Sequence, residues 1–218
     1  TSPAAVTSQD ECTSSIGPVR FSGLIGSGDT LPPLTEVEAI DAGHAHSVAL
    51  LKDGTLALWG NNAFGQLTPP EGVGVGAQRV AQVSAGLMHN VALLADGTVV
   101  CWGANDQGQC DVPEELTQPN PENPVVQVDA GSNFTAALRL DGSVVSWSLF
   151  DEECELPDND PSNPIVRITC GDSFIGAFRA DGSVFLCGSD LEMPEEPLQD
   201  LVIFGMNQGN YFLALTED

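Results

Sequence analysis

"AGHAHSVALLKDGTLALWGNNAFGQL", residues 42–67, carries an Ala-Gly, an Asp-Gly, a Trp-Gly and a Gly-Gln. "AGLMHNVALLADGTVVCWGANDQGQC", residues 85–110, repeats all four pairs at the same internal spacing. Two looser copies follow, "VVQVDAGSNFTAALRLDGSVVSW" from Val125 and "IVRITCGDSFIGAFRADGSVFLCG" from Ile165. Their Asp-Gly pairs begin at Asp53, Asp96, Asp141 and Asp181, giving spacings of 43, 45 and 40. Self-similarity at a period near 40 decides the architecture before any single residue does.

Each unit has the pattern of a small antiparallel sheet. Alternating apolar positions such as Val48 and Leu50 point to a strand with one buried face. An Asp-Gly between two such runs is a hairpin signal, expected here to place both residues at positive φ. Ala42-Gly43 and Cys170-Gly171 mark a second reversal, so three short strands per unit are expected. A unit of this size cannot bury both faces alone and must stack on its neighbours. Set radially, such units form a β-propeller, which leaves only short, protected edges.

The chain ends extend the pattern. "LVIFGMNQGNYFLALTED", residues 201–218, is the first half of a unit, and "GPVRFSGLIGSGDTLPP", residues 17–33, supplies the missing half. A constant shift of 37 sets Gly17 on Gly54, Phe21 on Leu58, Gly23 on Gly60 and Pro32 on Pro69. The expectation is an all-β propeller of about five three-stranded blades, its ring closed by pairing the N- and C-terminal half-blades. The units run 37–78, 79–124, 125–164 and 165–200, with a composite of 201–218 plus 17–36. Residues 1–16 form a Ser/Thr-rich arm, and the propeller takes 17–218.

Charge narrows the partners. The 218 residues include 31 acidic and 6 basic side chains, a net charge of −25. A phosphate backbone would be repelled, which excludes nucleic acid, and anionic membrane surfaces are disfavoured for the same reason. No run approaches the length needed to span a bilayer. The segments "DVPEELTQPNPEN", "DEECELPDNDPSNP" and "DLEMPEEPLQD" hold 4, 6 and 5 of the acids and no lysine or arginine. All three are exit loops between units, so the charge should gather along one sector of the rim. A protein partner with a basic surface fits this field.

The two strong units resemble the repeats of the regulator of chromosome condensation family, in the run Ala-Gly, His-Ser-x-Ala-Leu, Asp-Gly, Trp-Gly-x-Asn, Gly-Gln-Leu. The short units are most similar to the propeller-type β-lactamase inhibitory protein within that superfamily. The resemblance implies a propeller, usually of seven blades, and a scaffold that serves unrelated roles. Nucleotide exchange on chromatin is disfavoured by the charge. Ultraviolet sensing is disfavoured because Trp59, Trp102 and Trp147 occupy the repeat position itself and the Gly-Trp-Arg-His-Thr motif is missing.

The reactive residue types follow the repeat rather than a chemistry. His46 and His89 share a position with Phe134, Phe174 and Tyr211, so the position is read as packing, with a hydrogen bond as an option. No catalytic group and no metal ligands are assigned, and no cofactor is expected. Six cysteines, at 12, 101, 110, 154, 170 and 187, are compatible with an oxidising compartment. A Cys101–Cys110 bridge across the exit loop is one option; inert local additions are the other. "NFT" at Asn133 matches a glycosylation acceptor, a short pattern that often arises by chance.

The expected function is a non-catalytic protein–protein interaction module, a structural or accessory subunit of a larger assembly. The alternative is an enzyme inhibitor or regulator acting through one propeller face. That face would join the turns after Ala-Gly to the ends of the Trp-Gly strands, with His44, Asn62, Leu87, Met88, Asp106, Asn133, Phe150 and Asp172 together. A secreted, periplasmic or organelle-lumen setting is expected, the thylakoid lumen included.

Overall fold

The structure is a computed structural model, and it describes residues 36–76, 78–148, 156–157, 159–188, 201–206 and 212–216. Four three-stranded antiparallel sheets follow one another. Blade 1 has β1 (Val37–Ala42), β2 (His46–Leu51) and β3 (Leu56–Gly60). Blade 2 has β4 (Val80–Ala85), β5 (His89–Leu94) and β6 (Val99–Gly103). Blade 3 has β7 (Val125–Ala130), β8 (Thr135–Arg139) and β9 (Val144–Trp147). Blade 4 has β10 (Ile165–Cys170), β11 (Phe174–Arg179) and β12 (Val184–Gly188). A pair, β13 (Leu201–Met206) with β14 (Phe212–Thr216), packs beside β10. Residues 1–16 and 17–33, expected to form the arm and the ring-closing strand, lie outside the described residues.

The Asp-Gly turns differ from the expectation. In each blade only the glycine has positive φ, at 81°, 89°, 90° and 84° for Gly54, Gly97, Gly142 and Gly182. Gly54 N–H donates to Leu51 O at 2.8 Å, and Leu51 N–H donates to Thr55 O at 2.9 Å. This is a four-residue turn closed by a left-handed glycine and a bulge, rather than a two-residue turn needing two positive φ angles. The aspartate serves through its side chain. Asp53 Oδ1 accepts from Thr55 N–H at 2.9 Å and from the Thr55 hydroxyl at 2.6 Å. Asp141 with Ser143 and Asp181 with Ser183 do the same. These bonds hold the three carboxyls below the ordinary aspartate range.

The middle strand of a blade is buried on both faces, beyond the single face that alternation implies. Val48 and Leu50 pack toward blade 2, with Val83, Ala85 and Leu94, while Ala49 turns the other way onto Val37 and Ala57. All six residues of β5 are buried. The reason is radial stacking: a middle strand has a neighbouring blade on either side. Val83, Val128 and Ile168, at one position of the first strands, are 7%, 0% and 1% exposed, each against the preceding blade. Ile40, the same position in blade 1, is 61% exposed, because β1 is the leading edge of the described array.

Candidate interaction platform

The residues that recur in the sequence meet between blades. The loop after β3 carries Gly65-Gln66, and Gln66 is fully buried. Its backbone carbonyl accepts two donors from blade 2, Asn90 Nδ2 at 2.9 Å and Trp102 Nε1 at 3.0 Å. Blade 3 holds blade 2 in the same way: Gln109 O accepts Thr135 Oγ1 at 2.9 Å and Trp147 Nε1 at 3.1 Å. The glutamine side chain shapes the loop that presents this carbonyl, through Phe64 N–H to Gln66 Oε1 and Gln107 N–H to Gln109 Oε1, both at 2.9 Å.

The histidines complete the ties. Asn90 spends its amide hydrogens on Gln66, so its Oδ1 accepts from His46 Nε2–H at 3.0 Å. Thr135 spends its hydroxyl hydrogen on Gln109, so its oxygen accepts from His89 Nε2–H at 3.0 Å. Both rings are therefore the Nε2–H tautomer, with Nδ1 bare, buried and without a hydrogen-bond partner. Burial lowers both histidines, His89 to about 4, with the neighbouring His46 adding to the shift. The glycine of each Ala-Gly makes room: a Cβ on Gly86 would run into the His89 ring and the Gly131 carbonyl.

Nearer the axis lies a network that the sequence reading missed. Asp41 Oδ2 accepts Ala85 N–H at 2.9 Å, and Asp129 Oδ2 accepts Cys170 N–H at 2.7 Å. Ser84 Oγ stands between them, 3.0 Å from Asp41 Oδ2 and 2.8 Å from Asp129 Oδ1. The signal was available: Asp41, Ser84, Asp129 and Thr169 all precede the Ala-Gly or Cys-Gly pair, and each has a side-chain oxygen.

The turns between first and second strands lie side by side at one end of the array. His44 N–H donates to Leu87 O at 3.2 Å, Leu87 N–H to Ser132 O at 3.2 Å, and Ser132 N–H to Asp172 O at 3.4 Å. The Ser132 hydroxyl also donates to Asp172 Oδ1. His44 and Asn133 are exposed, while Leu87, Met88 and Asp172 are half-buried. Met88 Sδ reaches the Gln66 amide at 3.6 Å, joining the exit loop to these turns. Asn62 and Asp106 stay in the exit loops, where Asn62 Oδ1 accepts Leu67 N–H and Asp106 Oδ1 accepts from Gln109 Nε2. Phe150, the remaining residue expected here, lies outside the described residues.

The exit loop of blade 2 is pinned rather than free. Leu116, in a one-turn helix at Glu114–Leu116, is buried between blades 2 and 3. Cys101 and Cys110 form a disulfide with Cα atoms 5.0 Å apart, which decides between the two readings of that pair. Cys187 is disulfide-bonded as well, and Cys170 is a free thiol.

Residues 37–66 and 80–109 match the regulator of chromosome condensation (RCC1) repeat, and residues 96–138 match a second description of it. Residues 37–138 carry regulator of chromosome condensation repeats, set in a propeller. Solved structures agree on the fold. Human WBSCR16 superposes with a TM-score of 0.66 at 20% identity, over 84% of this chain and 58% of that one. The ectodomain of the Physcomitrella patens receptor kinase CR4 gives 0.62 at 21%, over 86% and 51%. Prp20p of Saccharomyces cerevisiae, described with its binding to Gsp1p and histones, gives 0.58 at 16%, over 84% and 55%. The chain thus spans little more than half the length of these neighbours. No curated protein matches its sequence. Within the RCC1 pattern, the His, Trp and Gly-Gln positions of this chain are the ties between blades.

Proposed function

We propose that the protein is a non-catalytic interaction module that binds a protein partner through the turn platform, as a subunit or accessory of a larger assembly. The observation that carries this reading is the hydrogen-bonded row His44, Leu87, Ser132 and Asp172. It fixes four consecutive turns into one preorganised surface, with side chains of Leu87, Met88 and Asn133 presented from it. The recurring histidines, tryptophans and glutamine carbonyls are consumed in holding blades together. RCC1-repeat propellers among the structural neighbours bind proteins, as yeast Prp20 does Kap60. The net charge of −25 favours a partner with a basic surface. The Cys101–Cys110 disulfide favours an oxidising compartment.

Capture from native extract, compared between the natural chain and the Leu87→Ala, Met88→Ala pair, tests the platform. Truncating interface anchors should cost about 1–2 kcal/mol each, so the captured partner should be lost or weakened roughly tenfold or more. Rising salt should weaken capture further if the partner is basic. Unchanged capture by the double variant would move the interface elsewhere. An inhibitor would use the same surface, and its partner would be an enzyme whose activity falls when captured.

A further inference from the structure

The two axial carboxylates face one hydroxyl, and the hydrogens do not suffice. Asp41 accepts backbone N–H groups from Ala42 and Ala85, and Asp129 accepts them from Ala130 and Cys170. Between them is Ser84 Oγ, within hydrogen-bond distance of both. A serine has one proton and can donate it to one carboxylate; the second oxygen–oxygen contact needs a proton of its own. No basic side chain lines the adjoining cavity among the described residues. Two ionised carboxylates there would repel one another, with those backbone N–H groups and the one Ser84 proton to offset the charge.

We propose that Asp41 and Asp129 hold one shared proton through Ser84, and that losing it loosens the axial ends of blades 1 to 4 and thereby regulates the turn platform. The regulatory half rests on the platform reading above; the proton is a property of the free chain. In the protonated form the Asp129 carboxyl donates to Ser84, and Ser84 donates to Asp41. Asp129, half-buried beside the cavity, is the better holder: burial, with Asp41's charge adding, pushes its carboxyl up to about 6. Among the described residues the other titratable groups facing the pair are few, and β2 brings His46 toward Asp41. Asp41 comes from β1, and β10 brings the Cys170 thiol, itself pushed up by burial and by Asp129. The turn after β10 brings Asp172, whose carboxyl is engaged by Ser132, while β4 contributes only the Ser84 hydroxyl. The coupling path is short, since Leu87 and Ser132 of the platform line the same cavity of about 190 Å³ as Asp41, Ser84 and Asp129.

The sign follows from the raised carboxyl. The folded chain keeps a proton that the unfolded chain has released, so stability is full in acid and falls as pH rises through about 6. Carbon-13 titration of the aspartate carboxyls in the full chain should show Asp129 ionising near that value. Melting temperature should fall between about pH 4 and 7 relative to Asp129→Asn, whose profile lacks this component; His46 and His89 titrate in both proteins and cancel in the difference. An Asp129 carboxyl ionised down to pH 4.5, or superimposable melting profiles, would overturn the shared proton. If the variant does not fold, the carbon signal decides alone. Partner affinity at the two pH values should differ at least roughly fivefold for the natural chain and not for Asp129→Asn. Equal affinities with the titration intact would overturn the regulatory half. Capture that ignores Leu87→Ala and Met88→Ala would instead overturn the platform.

Discussion

At their middle and last strands, blades 2 and 3 are tied to their predecessors by polar groups, whereas blade 4 meets blade 3 there through apolar packing. The first strands of blades 3 and 4 are hydrogen-bonded across their junction too, Gln127 with Ile168 and Asp129 with Cys170. At the first two junctions a histidine, an Asn or Thr, a tryptophan and a glutamine carbonyl form one buried hydrogen-bonded chain. At the third, Phe134 replaces the histidine and Ile175 replaces the Asn or Thr, and both join a cluster with Leu138, Ile165 and Ile168. Cys187 stands where tryptophan stood. The backbone barely notices: Gly171 lies against Phe174 as Gly86 lies against His89. The lesson is that the repeat encodes a joint, and that a joint can be made of hydrogen bonds or of buried rings provided all its members change together.

The largest expected effect lies in the apolar blade. Phe174 is fully buried, and Phe174→Ala should cost about 3–5 kcal/mol through lost burial and the cavity left behind. Denaturant unfolding measures it. A loss below about 1 kcal/mol would mean that blade 4 contributes little to the cooperative unit.

Acid should discriminate the two kinds of joint next. His89 titrates near 6.5 when unfolded and about 4 when folded, so its contribution is complete above 6.5 and is lost as pH falls through about 4. That difference corresponds to a few kcal/mol at most, on the order of 3. His89→Phe places in blade 2 the residue type that blades 3 and 4 already use, and it should remove this part of the acid sensitivity. The measurement is stability against pH for both proteins; identical slopes between pH 6.5 and 4 would show that the histidine joint is not buried as described.

A smaller effect tests whether the members of a tie change together. Asn90→Ile copies Ile175 but strands the His46 Nε2–H and removes one donor from Gln66, at a cost of about 2 kcal/mol. Adding His46→Phe removes the stranded donor, so the pair of changes should cost less than Asn90→Ile alone. Additive costs would separate the two residues energetically and break the comparison.

Much of this was legible in the repeat. The Asp-Gly, Ala-Gly and Trp-Gly spacing implied three strands per unit, because short runs and turn residues are local properties. The histidine position could be read as packing from its exchange with phenylalanine. Which blade each side chain ties to was not legible, since Gln66 to Trp102 and Gln109 to Trp147 cross 36 and 38 residues. The axial carboxylates were legible as one repeat position, before the Ala-Gly pair, but that Asp41 and Asp129 meet through Ser84 of the blade between them was not. The aspartate of Asp-Gly was misjudged for a different reason. Its value lies in accepting a hydrogen bond two residues on, which a φ argument overlooks.

The central claim is that the repeat tryptophans are cross-blade donors and not free elements of a binding surface. Hydrogen exchange of the indole Nε1–H of Trp102 and Trp147, followed by nitrogen-15 spectra of the full chain, tests it most directly. The structure places both on buried carbonyls, at 3.0 and 3.1 Å. They should therefore exchange as slowly as the backbone amides of β5 and β8, through the same global opening. Exchange at the rate of a solvent-exposed indole while those amides remain protected would contradict the account.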